Sequence, residues 1–440
     1  MGDAARFGRV AGACLLTLAL AACVVTPPAT TPVGTAAAGA SSPAIASGPA
    51  IASGAAIASG AATWVEATVS LPESVTGMVA GQQANIQCSP CHAAQADLLL
   101  AVTRTAQGWI AVGAQEPPSI AVAWTSADGR DWAPVGGLHT QPGSIATAVA
   151  TLGARTVIVG GDAAGATAWV STDGATWRAA PPDPGLAGPN GAARMNTITT
   201  WQGGFVAAGY ASDPGQAAPV AAIWTSQDGL SWQRVSSGPA FDGGRILGLA
   251  ASADTLVAVG STASASGTSG TSETSGTSGT SGTPGLAWAS HDAIHWSRSS
   301  APALRGGSMR AVVAAAGGFI AVGVGAADDG AAAWTSADGL AWQAVPDQSA
   351  FDNSGRPIRM ASVAAMGDRI VAVGWLSDPA NGSGTAWRTR DGTHWTRDPD
   401  QVALLGGELA GVAPGPNGFV GVGAVGYPDN DQAAAWLSGP

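Results

Sequence analysis

MRAVVAAAGGFIAVGVGAADDGAAAWTSADGLAWQAV, residues 309–345, reads as four short strands in a row. RAVVAAA is the first apolar run, Gly317-Gly318 a tight turn, FIAVG a second strand, AAAWTS a third and LAWQAV a fourth. Alternation and β-branched content favour strands over helices here. The unit recurs along the chain. Its second strand returns as WIAVG (109–113), TVIVG (156–160), FVAAG (205–209), LVAVG (256–260), IVAVG (370–374) and FVGVG (419–423), which with 319–323 makes seven. Its Ser/Thr-x-Asp-Gly-x-x-Trp turn has six copies, carried by Asp128, Asp173, Asp228, Asp292, Asp338 and Asp391 and spaced 45, 55, 64, 46 and 53 residues apart. A period of about fifty residues made of short strands predicts an all-β propeller with four strands per blade.

The turn has a physical reading that needs no catalysis. Ser and Asp accept hydrogen bonds from turn amides, and Gly takes a positive φ. A type I turn ending in a left-handed Gly gives a three-residue loop, Ala127-Asp128-Gly129 in the first copy. That register sets Trp124 opposite Trp132, and likewise Trp169/Trp177, Trp224/Trp232, Trp288/Trp296, Trp334/Trp342 and Trp387/Trp395. Ala293 replaces Gly in the fourth copy, so that turn is expected to be strained or differently shaped. The seventh unit stops after AAAWLSGP (433–440), one strand short. GAATWVEATVSLP (60–72) supplies a candidate, so residues 62–70 are expected to complete the last blade, with Trp64 against Trp436. The result is seven blades; the alternative is six with an irregular terminal hairpin.

The repeated turn resembles the Asp-box, or BNR, repeat of sialidases and related propellers, with one residue fewer between Asp and Gly. The resemblance covers nearly everything after residue 60. It implies a structural turn away from any active site. The family's sialidases use three arginines on a carboxylate, a Tyr–Glu nucleophile pair and an Asp acid/base. This chain has only Tyr210 and Tyr427 and five glutamates, and its nearest approach to the family's Arg-Ile-Pro is Arg356-Pro357-Ile358-Arg359, in the wrong order. These residues argue against sialidase activity. A glycosidase using two loop carboxylates stays open, with Asp213, Asp242, Asp328, Asp329, Asp352, Asp378, Asp429 and Asp431 in loops; the simpler reading of these is solvated turn residues.

The ends and the composition set the context. Arg6 and Arg9 precede the apolar run VAGACLLTLALAAC, and Leu20-Ala21-Ala22-Cys23 resembles a bacterial lipobox. That resemblance implies cleavage before Cys23, acylation of its thiol and export, leaving residues 1–22 as a signal peptide. Residues 23–61 hold no charge and no large aromatic side chain, so they read as a flexible tether. Residues 62–440 form the propeller, interrupted by a Gly/Ser/Thr-rich insert at 261–285. The chain has 18 basic residues, all arginine, and a net charge of −11, which argues against a nucleic-acid partner.

Two features hold chemistry. Arg194, Arg245 and Arg359 lie fifteen residues before the Gly that closes a second strand, and Arg310 is two residues off that register. In a propeller this position opens the innermost strand, where several guanidiniums could hold a carboxylate or phosphate. Glu408 takes the corresponding position in the last blade. The competing reading is that the arginines pair with acids such as Asp242 and Asp352. The second feature is CSPCH, residues 88–92. Cys88 and Cys91 suit a disulfide in an exported protein, and this reading is favoured. The alternative is haem c, attached through both cysteines with His92 on the iron and Met78 as the nearest distal ligand. Zinc would need two further ligands, so no metal is expected. His295 and His394 precede a motif Trp and read as surface residues. Together these readings describe a membrane-anchored, extracytoplasmic lipoprotein whose propeller binds a glycan, a cell-wall component or a protein, with a monomer expected. A glycoside hydrolase is the runner-up, and an electron-transfer module the third reading.

Overall fold

In the computed structural model, residues 63–70 and 96–439 are described, apart from the loop segments 117–118, 137, 139, 188–192, 213–218, 236–237, 263–282, 326–329, 353–354, 378–381 and 427–431. Cys23, CSPCH and Met78 lie outside these residues, as do Tyr427 and the loop acids Asp213, Asp328, Asp329, Asp378, Asp429 and Asp431. Among the described residues the strands form seven sheets, each with four strands in antiparallel succession; six take all four in chain order, and the seventh takes its fourth from the start of the chain. They are blades 1 to 7, whose first strands begin at residues 96, 145, 193, 244, 307, 358 and 407. The seven first strands touch one another in sequence and back to the start, so they line a central channel. The protein is a seven-bladed β-propeller, closed by its first strand.

The closure has more to it than one missing strand. Trp64–Glu66 pairs antiparallel with Gln432–Ser438 as the fourth strand of blade 7. The chain then leaves that blade, and Thr68–Val69 pairs in parallel with Asp131–Pro134 at the outer edge of blade 1. Only the first half of 62–70 therefore completes the last blade; the second half straps its neighbour. The amide of Ala67 donates to Ala435 O at 2.8 Å, and those of Thr68 and Ser70 donate to Arg130 O and Trp132 O at 2.8 and 2.9 Å. One short segment thus removes the free edges of two blades.

The core is seven apolar clusters, one between each pair of neighbouring blades. In each, the tryptophans of one blade lie on the middle strand of the blade before it. Trp224 and Trp232 pack with Val157 and Val159, for example, and Trp387 and Trp395 with Ile320 and Val322.

The expected opposition of the two tryptophans needs correction in every blade. Trp334 lies opposite Ala344, and Ser336 opposite Trp342; Trp124 lies opposite Pro134. Trp169 faces Ala179 rather than Trp177, and Trp288 faces Arg298 rather than Trp296. Trp224 faces Arg234 rather than Trp232, and Trp387 faces Arg397 rather than Trp395. Trp177, Trp232, Trp296 and Trp395 are not strand residues at all: each stands just before a fourth strand of two residues. They are buried nonetheless, Trp177 beside Trp169 and Trp296 beside Trp288 in their clusters. Trp64 likewise faces Ser438, and Trp436 faces Glu66. Each pair is offset by two residues, which keeps both rings on one face without direct opposition.

The cause is the motif carboxylate. Asp338 Oδ1 accepts from the amides of Leu340 and Ala341 at 2.9 and 2.8 Å, while Gly339 N donates to Ser336 Oγ at 2.9 Å. Holding two amides beyond the left-handed Gly339 (φ 77°) carries the turn one step further and makes the loop five residues long. The same bonds recur around Asp128, Asp173, Asp228 and Asp391. Ala293 takes the left-handed conformation itself, at φ 61°. Each hairpin is then anchored by its second Trp: the Trp342 indole N–H donates to Gly339 O at 2.8 Å, and that of Trp132 to Gly129 O at 2.9 Å. The indoles of Trp177 and Trp296 do the same, to Gly174 O at 3.3 Å and Ala293 O at 3.1 Å.

Candidate functional site

The strand order separates the two ends of the channel. Every motif turn joins a third strand to a fourth, so all six lie at one end. The first strands begin at the other end, beneath the loops that arrive from the preceding blade. The motif aspartates and the channel-lining arginines therefore lie at opposite ends.

A β-bulge near the start of each first strand sets the positions at this mouth. The register shifts at Leu100, Thr147, Asn196, Leu247, Arg310, Ala361 and Ala410 in blades 1 to 7. Two residues before each bulge stand Leu98, Ile145, Arg194, Arg245, Ser308, Arg359 and Glu408. The carbonyls of these seven lie against the glycines that end the second-strand signature. A β-carbon at Gly113, Gly160, Gly209, Gly260, Gly323, Gly374 or Gly423 would lie only 1.7 to 2.1 Å from them. The recurring Gly is thus the residue that admits the bulge. Through it, the VG of each repeat fixes where the mouth side chain sits. One residue past the bulge the inner strands crowd together, and the residues are small: Ala101, Ala148, Thr197, Gly248, Ala311, Ser362 and Gly411. A methyl at Gly248 would lie 2.9 Å from Ala311 Cα.

Blades 3, 4 and 6 therefore present Arg194, Arg245 and Arg359 at one level of the mouth, and blade 5 presents Arg310 from its bulge. All four are half-buried. The Arg359 guanidinium stands 4.6 Å from the ring centre of Trp375, its cross-strand neighbour, and donates to Glu408 Oε1 at 3.2 Å. Arg245 stacks on Tyr210 of the preceding blade at 4.7 Å. The stem of Arg194 leans over Gly161 in blade 2, where a β-carbon would come within 3.2 Å of it. Arg359 thus has an acidic partner in the next blade, Glu408. Asp242 is exposed, and its carbonyl accepts from Arg298 at 3.1 Å. A guanidinium held over an aromatic face by a neighbouring carboxylate keeps donors in a fixed plane, the arrangement that suits carboxylate or phosphate.

Beside this mouth, over blade 5, a cleft of about 710 Å³ is lined by Trp334, Asp347, Phe351, Asp352 and Arg356. In blade 1 the mouth differs. Asp97 is buried at 5% exposure, its Oδ1 without a hydrogen-bond donor among the described residues. Burial pushes its carboxyl above the ordinary value, against the opposing pull of the Gln115 side chain. The motif aspartates go the other way. The amides of Arg130 and Asp131 hold Asp128 low, and those of Thr176 and Ala175 hold Asp173 low. Burial opposes the shift of Asp228, but the amides of Ser231 and Leu230 overcome it. Those of Ala341 and Leu340 lower Asp338. His295 lowers Asp292, first through its ring at 2.6 Å and then through its amide; at Asp391 the His394 amide leads and its ring follows at 2.7 Å. Both histidines are exposed and touch their turn aspartate. Among the described residues no group of three or more His, Cys, Asp or Glu is placed to hold a metal ion, and no helix is long and apolar enough to cross a membrane.

The sequence matches no model of a known protein family and no curated protein. Solved structures resemble it in outline. YCF48 bound to a D1 peptide aligns at 15% identity and a TM-score of 0.48, over 78% of this chain and 92% of that one. A Trypanosoma rangeli sialidase in complex with the inhibitor DANA aligns at 14% and 0.43, over 78% and 55%. A thermostable family-43 glycoside hydrolase aligns at 12% and 0.36, over 67% and 88%. These likenesses are too remote to speak to function, and the blade count rests on the strand pairing of this chain itself.

Proposed function

We propose that this protein is an exported, lipid-anchored propeller that binds an anionic group at its channel mouth and does not hydrolyse its ligand. One observation carries the reading: four arginines from four successive blades are brought by the strand register to one mouth, two of them stacked on aromatic rings. The chain as a whole has a charge of −11, so cationic side chains gathered at one place mark it out. The ligand is a glycan, a cell-wall fragment or a protein that presents a carboxylate or phosphate. Anchoring through Cys23 and a tether over 23–61 would hold this mouth outside the membrane. A disulfide between Cys88 and Cys91, with no cofactor, completes the proposal.

The full chain would be applied to an array of neutral and acidic glycans and cell-wall fragments, with retained ligand and released product both read by mass. Retention of acidic ligands without cleavage, lost in Arg245→Ala and Arg359→Ala, is the expected result. Product release would replace the binder with a hydrolase and direct attention to Asp347 and Asp352 in the cleft. Incorporation of labelled palmitate that disappears in Cys23→Ser tests the anchor, and thiol titration with a visible absorption spectrum tests the disulfide against haem.

A further inference from the structure

Three of the loops that arrive at the mouth follow one template: PAFDGGR (239–245), PALRGGS (302–308) and VALLGGE (402–408). In each, the third residue is a buried anchor, Phe241, Leu304 or Leu404. The carbonyl of the second accepts the indole N–H of the blade's third-strand tryptophan: Trp288 to Ala240 at 2.7 Å, Trp334 to Ala303 at 3.2 Å and Trp436 to Ala403 at 2.7 Å. The first and fourth residues face solvent in all three loops. Two loops put Pro239 and Asp242, or Pro302 and Arg305, at those places. The third puts Val402 and Leu405 there, 86% and 57% exposed.

Folding does not require that choice, because the sister loops take the same course without it. The apolar pair is also held still. Leu405 bridges Ser383, whose hydroxyl donates to Leu404 O at 3.2 Å, and Gly406 N donates to Gly382 O at 2.7 Å. Leu405 precedes Glu408 by three residues, which limits their separation to about 10 Å. Glu408 is the residue that receives Arg359. The exposed aliphatic step therefore borders the cationic mouth. Branched hydrocarbon with no polar group of its own gains by meeting another aliphatic side chain and loses by covering a sugar's hydroxyls.

We infer that the step and the arginines together form a docking surface for a protein partner that presents an extended acidic–aliphatic segment. The partner's Asp or Glu lies on the arginines, and its Leu, Ile or Val lies on Val402 and Leu405. An extended chain rises roughly 3.3 Å per residue, so the two side chains stand two or three residues apart. This rests on the anion-binding reading of the mouth.

A displayed library of random peptides would be selected on the full chain, and the winners measured against two variants. Val402→Pro with Leu405→Asp gives this loop the first and fourth residues of the 239–245 loop, where proline opens a 3-10 turn without disturbing it. Arg245→Ala with Arg359→Ala removes the cations. Melting and far-UV spectra of the loop variant should match the parent. Selected peptides are expected to carry an acidic residue two or three places from an aliphatic one, and to weaken at least tenfold on either variant. Peptides without the aliphatic residue, unchanged binding to the loop variant, or no enrichment at all would overturn the inference. The anion reading would survive that result if acidic glycans were still retained by the loop variant. Binding that needs Val402 and Leu405 but ignores the arginines would instead remove the anion reading, and this inference with it.

Discussion

Replace Trp64 with alanine in the full chain. Its side chain is 1% exposed and packs in the cluster between blades 6 and 7 with Val371, Val373 and Trp436. Truncating a buried Trp costs about 3–5 kcal/mol. The indole N–H also donates to Asp398 Oδ2 at 3.2 Å, and the backbone amide donates to Gln401 Oε1 at 2.7 Å. Asp398 is buried and keeps Arg388, at 2.8 and 3.1 Å, when the indole goes. The lost bond then leaves one carboxylate oxygen less well satisfied, for about 1 kcal/mol more. The sum, about 4–6 kcal/mol, is a large share of the 5–15 kcal/mol typical of a folded domain. Trp64→Phe keeps most of the bulk, loses the N–H, and should cost about 1–2 kcal/mol. Urea unfolding followed by far-UV circular dichroism measures both. The entire β signal should move to lower urea with little change in slope, because the residue joins the two ends of one ring. A shift of less than about 0.5 kcal/mol for Trp64→Ala, the range of ordinary surface changes, would refute closure by this strand.

Other predictions are more local. Gly339→Ala forces a β-carbon to φ 77° and to within 2.3 Å of Val257, whereas at Gly174, φ 74°, a β-carbon meets nothing within 4 Å. The first should lose about 2–4 kcal/mol in urea unfolding and the second about 1, and equal losses would mean that the turn does not pack on the neighbouring blade. The lowered carboxyls of the six motif aspartates stabilise the fold fully above the unfolded value near ~4, and that contribution drains away as pH falls through their depressed folded values. Melting temperature should therefore drop steeply below about pH 4, and Asp292→Asn with Asp391→Asn should flatten the drop; an unchanged acid limb would count against it. Asp97 has the opposite sign. Its raised folded value penalises the charged form above that value, so Asp97→Asn should stabilise by more than ~0.5 kcal/mol at pH 7 and give no gain well below pH 4, in melts at the two pH values.

Most of the ring can be read from residue pattern because each blade restates the same constraints. The second-strand Gly recurs where a bulge carbonyl leaves no room for a β-carbon, so the signature marks both the strand and the level of the mouth residue. Counting back fifteen residues from it reaches Arg194, Arg245 and Arg359, which the register puts at one level. Closure was visible for a similar reason: a unit ended one strand short, and the other end of the chain began with a spare strand carrying a Trp. The offset of the tryptophans was not visible. It depends on a carboxylate holding two amides past the glycine, and the motif fits a three-residue or a five-residue loop equally well. Nor was the strap to blade 1 visible, since Thr68–Val69 is too short to show alternation.

Val402 and Leu405 show what separates scaffold from site in such a molecule. A repeat protein solves one folding problem several times, so its blades act as controls for one another. Where every blade agrees, as in the second-strand Gly, the shared residue is explained by packing. Where one blade departs at a position that packing leaves free, folding offers no explanation and the departure points elsewhere. The arginines meet that criterion: Leu98, Ile145 and Ser308 fill their position in other blades without disturbing the bulge. Val402 and Leu405 meet it again in the loop beside them, where Pro and Asp, or Pro and Arg, serve equally well. The motif aspartates do not meet it, since all six turns have one and all six use it for the same two amides. Departures of two kinds, cationic and aliphatic, fall on adjoining parts of one mouth. A single partner presenting both chemistries explains that coincidence better than two unrelated accidents of sequence.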